Sequence, residues 1–418
     1  MSNLLDKASV ILTPTAYNTS EVLCVKPSDG TGDFDFSRAT EATRINSLGL
    51  VETIGINLPR INYEGGCGSW LFEPQSTNLI TYSEDFTQWI NTRSSDLIGF
   101  TSPNGTSNAT KLISDTTVLS SHIIKSTSFS ISSGQKYTYS VFLKANQLDY
   151  ARIVFTDTSV SKLLSVFFDL TSGTVGTTSS GSTATLDNAN IKNFGNGWFK
   201  CSVSGDLDTV TNAEARIYLA VADNDFIFDG DGTSGIYIWG AQVEQQSYAT
   251  SYIPTNGATV TRNQDVCTNG GSLATINSTE GTLYFEGSVL ANTSTFEVIS
   301  LSDGGTSNIL AFVYRNVLNQ FSAVVKSGGS TSLSKTITLA DATDTIKVAV
   351  SYKLNDFRFY LNGVLIIADT SGNTPIGLNT LHFADGNGTS NKFFGKTKAL
   401  AVWKEALSDQ ELTELTTI

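Results

Sequence analysis

Residues 136–144 read Lys-Tyr-Thr-Tyr-Ser-Val-Phe-Leu-Lys. Tyr137, Tyr139, Val141 and Leu143 recur at every second position, and Thr138, Ser140 and Lys144 are among the residues on the other side. Successive side chains of an extended chain point to opposite faces, so this period of two specifies a strand with one apolar face turned to a core. Working outward, Leu164, Val166, Phe168 and Leu170 repeat the pattern before the turn Thr171-Ser172-Gly173. Ile236-Tyr237-Ile238-Trp239 form a further short strand between Gly235 and Gly240. Near the end, Phe357, Phe359 and Leu361 alternate into Asn362-Gly363, and Val364-Leu365-Ile366-Ile367 returns. Asn-Gly between two such runs predicts a hairpin, because both central residues of a type I′ turn need positive φ. Short strands separated by Gly, Ser and Asn turns predict antiparallel β-sandwiches rather than βαβ units. Thr177 to Thr185 reads as an exposed hairpin tip, and one helix start stands out. Ser408-Asp409-Gln410-Glu411 is a capping box that opens a short amphipathic helix through Leu412 and Leu415.

At about 150 residues per domain, 418 residues make two or three domains. Lys and Arg number 26 against 39 Asp and Glu, a formal net charge of −13, which argues against a dedicated nucleic-acid binder. A hydrophobic fraction of 40% is too high for a disordered chain, and 16% charged residues too few for coiled coils. Two His leave little material for zinc sites or Ser–His–Asp catalysis. Cys24, Cys67, Cys201 and Cys267 show no C-x-x-C pair and read as free buried thiols. Met1 to Asp6 show neither a basic nor an apolar signal region, and no apolar run approaches about 20 residues, so the expectation is folding in the cytosol of the producing cell, without membrane insertion.

Residues 1–75 differ from the rest: turn-rich, weakly periodic and comparatively dense in charge. They predict an arm ordered by a partner, since such a segment buries too little apolar surface to offset its own ordering. A sandwich is expected over 76–255, a breaker-rich linker over 256–271, and a second, independently folding sandwich over 272–418.

Asp223, Asp225, Asp229 and Asp231 lie close together, and hard cations want several oxygen ligands from a flexible loop. Solvated turn carboxylates are the simpler reading; Asp229 and Asp231 are the pair that would hold a structural calcium, the one cofactor considered. Exposed aromatic rings suit pyranose faces, and Trp89, Trp198 and Tyr237 are the candidate glycan contacts, although core packing is the commonest use of such rings. No E-x-D-x-x-E run or nucleotide-binding loop is present, and 39 acids make any catalytic carboxylate pair uninformative. No catalytic residue is assigned.

The run Gly32-Asp33-Phe34-Asp35-Phe36-Ser37-Arg38-Ala39-Thr40-Glu41-Ala42-Thr43-Arg44-Ile45-Asn46, with Gly49-Leu50-Val51-Glu52 and Pro59-Arg60-Ile61, resembles the N-terminal region of bacteriophage virion fibre and spike proteins. Leu71-Phe72-Glu73-Pro74-Gln75-Ser76-Thr77-Asn78-Leu79-Ile80 is similar to the segment that leads into their first β-domain. Gly240-Ala241-Gln242-Val243-Glu244, Ser251-Tyr252-Ile253-Pro254-Thr255 and Val260-Thr261-Arg262 are similar to its exit. The domain between resembles a jelly-roll carbohydrate-binding module. Trp70 and Phe72 stand where smaller aliphatics are more usual. Gly281-Thr282-Leu283-Tyr284-Phe285, Phe359-Tyr360-Leu361-Asn362-Gly363, Leu400-Ala401-Val402-Trp403 and Ala406-Leu407-Ser408-Asp409-Gln410-Glu411-Leu412 resemble a concanavalin-A-like, laminin-G-type sandwich.

This resemblance implies a non-enzymatic structural protein of the virion, a head or tail fibre or spike, assembled in the host cytoplasm. Its arm would anchor it to capsid or tail proteins, and its two sandwiches would contact host surface glycans. Such fibres are commonly homotrimers, which raises the avidity of weak sites. The alternatives are a virion-associated polysaccharide depolymerase using paired carboxylates, and a purely structural capsid decoration protein.

Overall fold

Strands follow one another along nearly the whole chain in the computed structural model, which describes residues 2–418. The fold is all-β, with antiparallel sheets packed as sandwiches. The chain divides into two compact units. One holds residues 42–53 and 75–262; the other holds residues up to 41, residues 54–74 and residues 263–418.

In the first unit, the strand Lys136–Lys144 lies inside a six-stranded sheet, between Gly235–Glu244 and Trp198–Asp206. Ser94–Phe100 and Ala109–Ser114 extend one side, and Thr185–Asn193 closes the other. A seven-stranded sheet runs in the order Ile90–Thr92, Ile123–Lys125, Asn212–Ala220, Tyr150–Asp157, Leu163–Asp169, Thr174–Ser180, with Phe129–Ser130 also on Asn212–Ala220. Tyr137, Tyr139, Val141 and Leu143 meet Ile153, Phe155, Leu164, Val166, Phe168, Val203 and Ile217 in one core. Each such aliphatic contributes about 1.5–3 kcal/mol by burial, and Phe155→Ala would cost about 3–5 kcal/mol. The strand expected at Ile236–Trp239 continues to Glu244 because a bulge keeps it in register. Ser140 opposes Gln242 but Phe142 opposes Trp239, and Gly240 takes φ +62 there, where a Cβ would meet the Phe142 ring at 3.0 Å. Thr177 to Thr185 is not a hairpin tip. Thr174–Ser180 ends in one sheet and Thr185–Asn193 begins in the other, so the turn between them is a sandwich corner.

The second unit sets an eight-stranded and a five-stranded sheet around a separate core that includes Leu283, Phe285, Leu310, Phe312, Phe321, Val348, Val350 and Phe359. Asn362 and Gly363 have φ +48 and +80 between paired Leu361 and Val364, the type I′ hairpin its dipeptide predicts. The helix Asp409–Thr416 carries the reciprocal capping box and buries Leu412 and Leu415 on the sheet face formed by Tyr284, Tyr360, Ala401 and Trp403.

The N-terminal residues correct the expectation of an arm awaiting a partner. Val10–Leu12 and Ser69–Leu71 both pair with Gly395–Trp403, Ile61–Asn62 pairs with Ser69–Leu71, and Phe34–Ser37 pairs with Val266–Thr268. Val10, Leu12, Phe34, Phe36, Trp70 and Phe72 are buried in the second core. Residues 42–53 instead form a hairpin in the first unit, where Ile45 and Val51 pack with Phe142, Trp198, Trp239 and Tyr252. The expected linker over 256–271 is also paired: Val260–Arg262 with Ser76–Asn78, and Val266–Thr268 as above. These strands are two to four residues long, too short for any alternation to be read in sequence.

The recognisable words of the N-terminal stretch resolve into a buried ion network of the second unit. Asp265 receives Arg38 Nη1 at 2.9 Å on one oxygen and Arg60 Nη2 at 2.5 Å on the other, while Arg60 Nη1 reaches Glu73 Oε2 at 2.7 Å. Arg38 Nη2 also donates to the carbonyls of Gly55 and Leu58, and the Glu73 amide donates to Asp265 at 2.8 Å. All four side chains are at most 3% exposed. Buried charges persist only when paired and hydrogen-bonded in this way.

Candidate functional site

The three aromatic candidates fall in different environments. Trp89 is 6% exposed, donates Nε1–H to the Tyr82 carbonyl at 2.9 Å and packs on Phe86, so its ring belongs to the first core. Trp198 is 3% exposed and sits beneath the 42–53 hairpin with Phe142 and Trp239. Neither offers a face to a ligand, because both rings are buried. Tyr237 is half-buried, packs against Phe100 at 4.8 Å between ring centres, and has Lys111 and Lys144 as its cross-strand partners on either side. It is the one of the three that still presents part of its side chain.

Asp229 and Asp231 act as turn carboxylates. Asp229 accepts the Leu119 amide at 2.7 Å. Asp231 accepts the amides of Thr233 and Ser234 at 2.8 and 2.6 Å and the Ser234 hydroxyl at 2.6 Å, which holds its carboxyl far below the usual range. Among the described residues, no three of His, Cys, Asp or Glu gather as ligands of a metal. The four cysteines are unpaired; Cys24, Cys201 and Cys267 are buried, and Cys67 is exposed.

An open groove lies in the second unit, where the sequence offered only framework motifs. A groove of about 470 Å³ is lined by Gln264, Ser294 to Glu297, Asn316, Asn391, Lys392 and Phe394. Four segments supply it. Residues 294–296 come from the loop before the strand Glu297–Ser302, and Asn316 follows the strand Ile309–Tyr314. Residues 391–394 precede Gly395–Trp403, and Gln264 stands next to Asp265, whose buried ion pairs hold that part of the backbone. Phe296 is 38% exposed, with the Arg315 guanidinium 5.7 Å from its ring centre. An apolar ring flanked by three side-chain amides is a combination that binds polyhydroxylated ligands, since amides donate and accept while the ring covers an apolar face.

Glu297 forms the floor. Its Oε2 accepts the Phe394 amide at 2.9 Å, and it lies directly opposite Tyr314 in the sheet. Burial pushes its carboxyl up to about 8, against the opposing pull of hydrogen bonds from Phe394 and Thr293. Among the described residues it is the only carboxyl lining the groove. Sequence reading missed this site because its residues come from four separate loops. The single local signal was Phe296, an apolar ring at the end of Asn292-Thr293-Ser294-Thr295.

No family model matches the chain, and no curated protein matches it. Among solved structures it is similar to the Ruminococcus gnavus IT-sialidase CBM40, at 15% identity and a TM-score of 0.30, covering 36% of this chain and 93% of that one. The leech intramolecular trans-sialidase is similar at 16% identity and a TM-score of 0.30, covering 36% of this chain and 26% of that one. A receptor binding domain is similar at 14% identity and the same TM-score, covering 37% and 39%.

Proposed function

We propose that this chain is a non-catalytic, glycan-binding structural protein of a bacteriophage virion, displayed on head or tail as a homotrimer for attachment to the host surface. The observation that carries glycan binding is the groove of the second unit, with half-exposed Phe296 among Gln264, Asn316 and Asn391. The virion assignment rests on the resemblance of residues 32–80 and 240–262 to fibre and spike proteins. A binding rather than hydrolytic role is favoured by the groove's acid content. Glycoside hydrolysis takes two carboxyl groups about 5–10 Å apart, and here one neutral carboxyl is tied to the backbone. With the N-terminal residues built into the second unit, attachment to capsid or tail proteins falls to the surface of that unit instead of a free arm. Individual sites of this kind are weak, and three copies raise avidity about 10²–10⁴-fold.

The test is a glycan array probed with the full chain and with Phe296→Ala. Retention of neutral oligosaccharides is expected for the wild type, weakened about tenfold in the variant, which corresponds to about 1.4 kcal/mol. Equal retention by both proteins would overturn the assignment of the groove. Immunogold labelling of purified particles is expected to mark head or tail, and unlabelled particles would overturn the virion role.

A further inference from the structure

On its outer face, the seven-stranded sheet of the first unit carries a cation without a counter-ion. Arg152 lies in the strand Tyr150–Asp157, opposite Tyr218 on one side and Phe167 on the other. Its Nε donates to Ser165 Oγ at 2.6 Å, its one hydrogen bond to the protein. The guanidinium carbon sits 4.3 Å from the ring centre of Phe226, 5.0 Å from Tyr218 and 5.5 Å from Phe167. Phe226 belongs to the loop after Ala220, and that loop is tied down. The Thr177 amide and hydroxyl donate to the Asp223 carboxylate at 2.7 and 2.8 Å, and Phe226 meets Tyr218 edge-on at 5.6 Å. Three rings and one hydroxyl therefore fix the plane of the guanidinium, while its two terminal amino groups make no hydrogen bond within the protein.

The nearby charges behave differently. Arg216 pairs with Glu214 at 2.7 Å, and Lys125 reaches the same carboxylate at 3.2 Å, so Glu214 is already neutralised, while Asp223 is held by Thr177. Among the described residues, no carboxylate lies within ion-pair distance of Arg152. A partly desolvated cation without an anion is costly, and an anion arriving from outside relieves that cost. The exposed edge of a guanidinium is a planar two-donor fork, which matches a carboxylate in bidentate geometry. In a chain of net charge −13, a singly charged group is also repelled less than a doubly charged phosphate.

We infer that Arg152 is a second ligand site, which receives the carboxylate of an acidic sugar residue while the sugar lies beside the half-exposed Phe226. This extends the glycan-binding reading, but the site is on the other unit from the groove and shares no residue with it. The probe is tri-galacturonic acid, titrated into the full chain by calorimetry, with its methyl ester and inorganic phosphate as controls. The acid should bind at least tenfold more tightly than the ester, Arg152→Gln should abolish the difference, and Phe296→Ala should leave it intact. Arg152→Lys keeps the charge but loses the fork, so it should weaken the acid about tenfold; it also serves if the Gln variant folds poorly. Equal affinity for acid and ester, or undiminished binding by both Arg152 variants, would overturn the site. Phosphate binding as tight as that of the trisaccharide would overturn its assignment to a sugar acid. Failure of the groove would appear separately, in neutral oligosaccharides and Phe296→Ala.

Discussion

Glu297→Gln replaces a carboxyl that the fold holds neutral with an uncharged group of the same size. In the folded protein this carboxyl is raised from its ordinary 4.5 to about 8, chiefly by burial. Because the folded value lies above the unfolded one, the folded state keeps a proton that the unfolded chain releases. The carboxyl's contribution is then complete below about pH 4.5, declines as pH rises to about 8, and is constant above that. Each tenfold step in the acid constant is worth about 1.4 kcal/mol. The wild type should therefore lose on the order of 3 kcal/mol by pH 7 and on the order of 5 kcal/mol by pH 9, and the Gln variant should lose neither. For a unit of this size, about 1 kcal/mol moves the midpoint by about 2–4 °C, so the gap at pH 7 should be about 6–12 °C. Scanning calorimetry of both full chains from pH 4.5 to 9 reads it directly. Differences in how the amide packs add an offset that is the same at every pH, so the slope is diagnostic. A gap that stays flat between pH 5 and 8.5 would refute the buried, protonated carboxyl.

Two further outcomes are expected. Asp265→Asn removes the anion shared by Arg38 and Arg60, both fully buried, and should destabilise the chain by about 3–5 kcal/mol in urea titrations; a loss below about 1 kcal/mol would show that the network is dispensable. At pH 8 a thiol reagent should label Cys67 alone at once, because Cys24 is pushed up to about 12 by burial and burial also raises Cys201 and Cys267 well above the ordinary thiol range, and the other three should react only after unfolding; fast labelling of two or more would contradict the packing around them.

Long strands were legible and short ones were not. Tyr137 to Leu143 and Leu164 to Phe168 show their buried face in the alternation itself, and Asn362-Gly363 and Ser408 to Glu411 announce a turn and a cap by local chemistry. Val10–Leu12 and Ser69–Leu71 offer three residues each, and their partner strand lies hundreds of positions away, so composition made them look like an unstructured arm. Aromatic rings were recognisable as a resource, yet burial decides their use. Trp198 is covered by the hairpin of residues 42–53, which no local pattern reveals, and Trp89 is buried beside Phe86, while Tyr237 is only half-buried. The groove residues and Arg152 acquire meaning only once separate loops, or adjacent strands, bring them together.

The division of the chain bears on the order in which it is made. A ribosome releases residues 42–53 and 75–262 as one finished set, and these need nothing later to close their core. Val10, Leu12, Phe34, Phe36, Trp70 and Phe72 emerge before or within that set, yet the strand that pairs Val10–Leu12 ends at Trp403. At about 5–20 residues per second, the earliest apolar segment waits on the order of 20–80 seconds for its partner. During that interval the nascent chain carries a folded first unit and a set of unpaired hydrophobic strands, the species most exposed to association with its neighbours on a polysome.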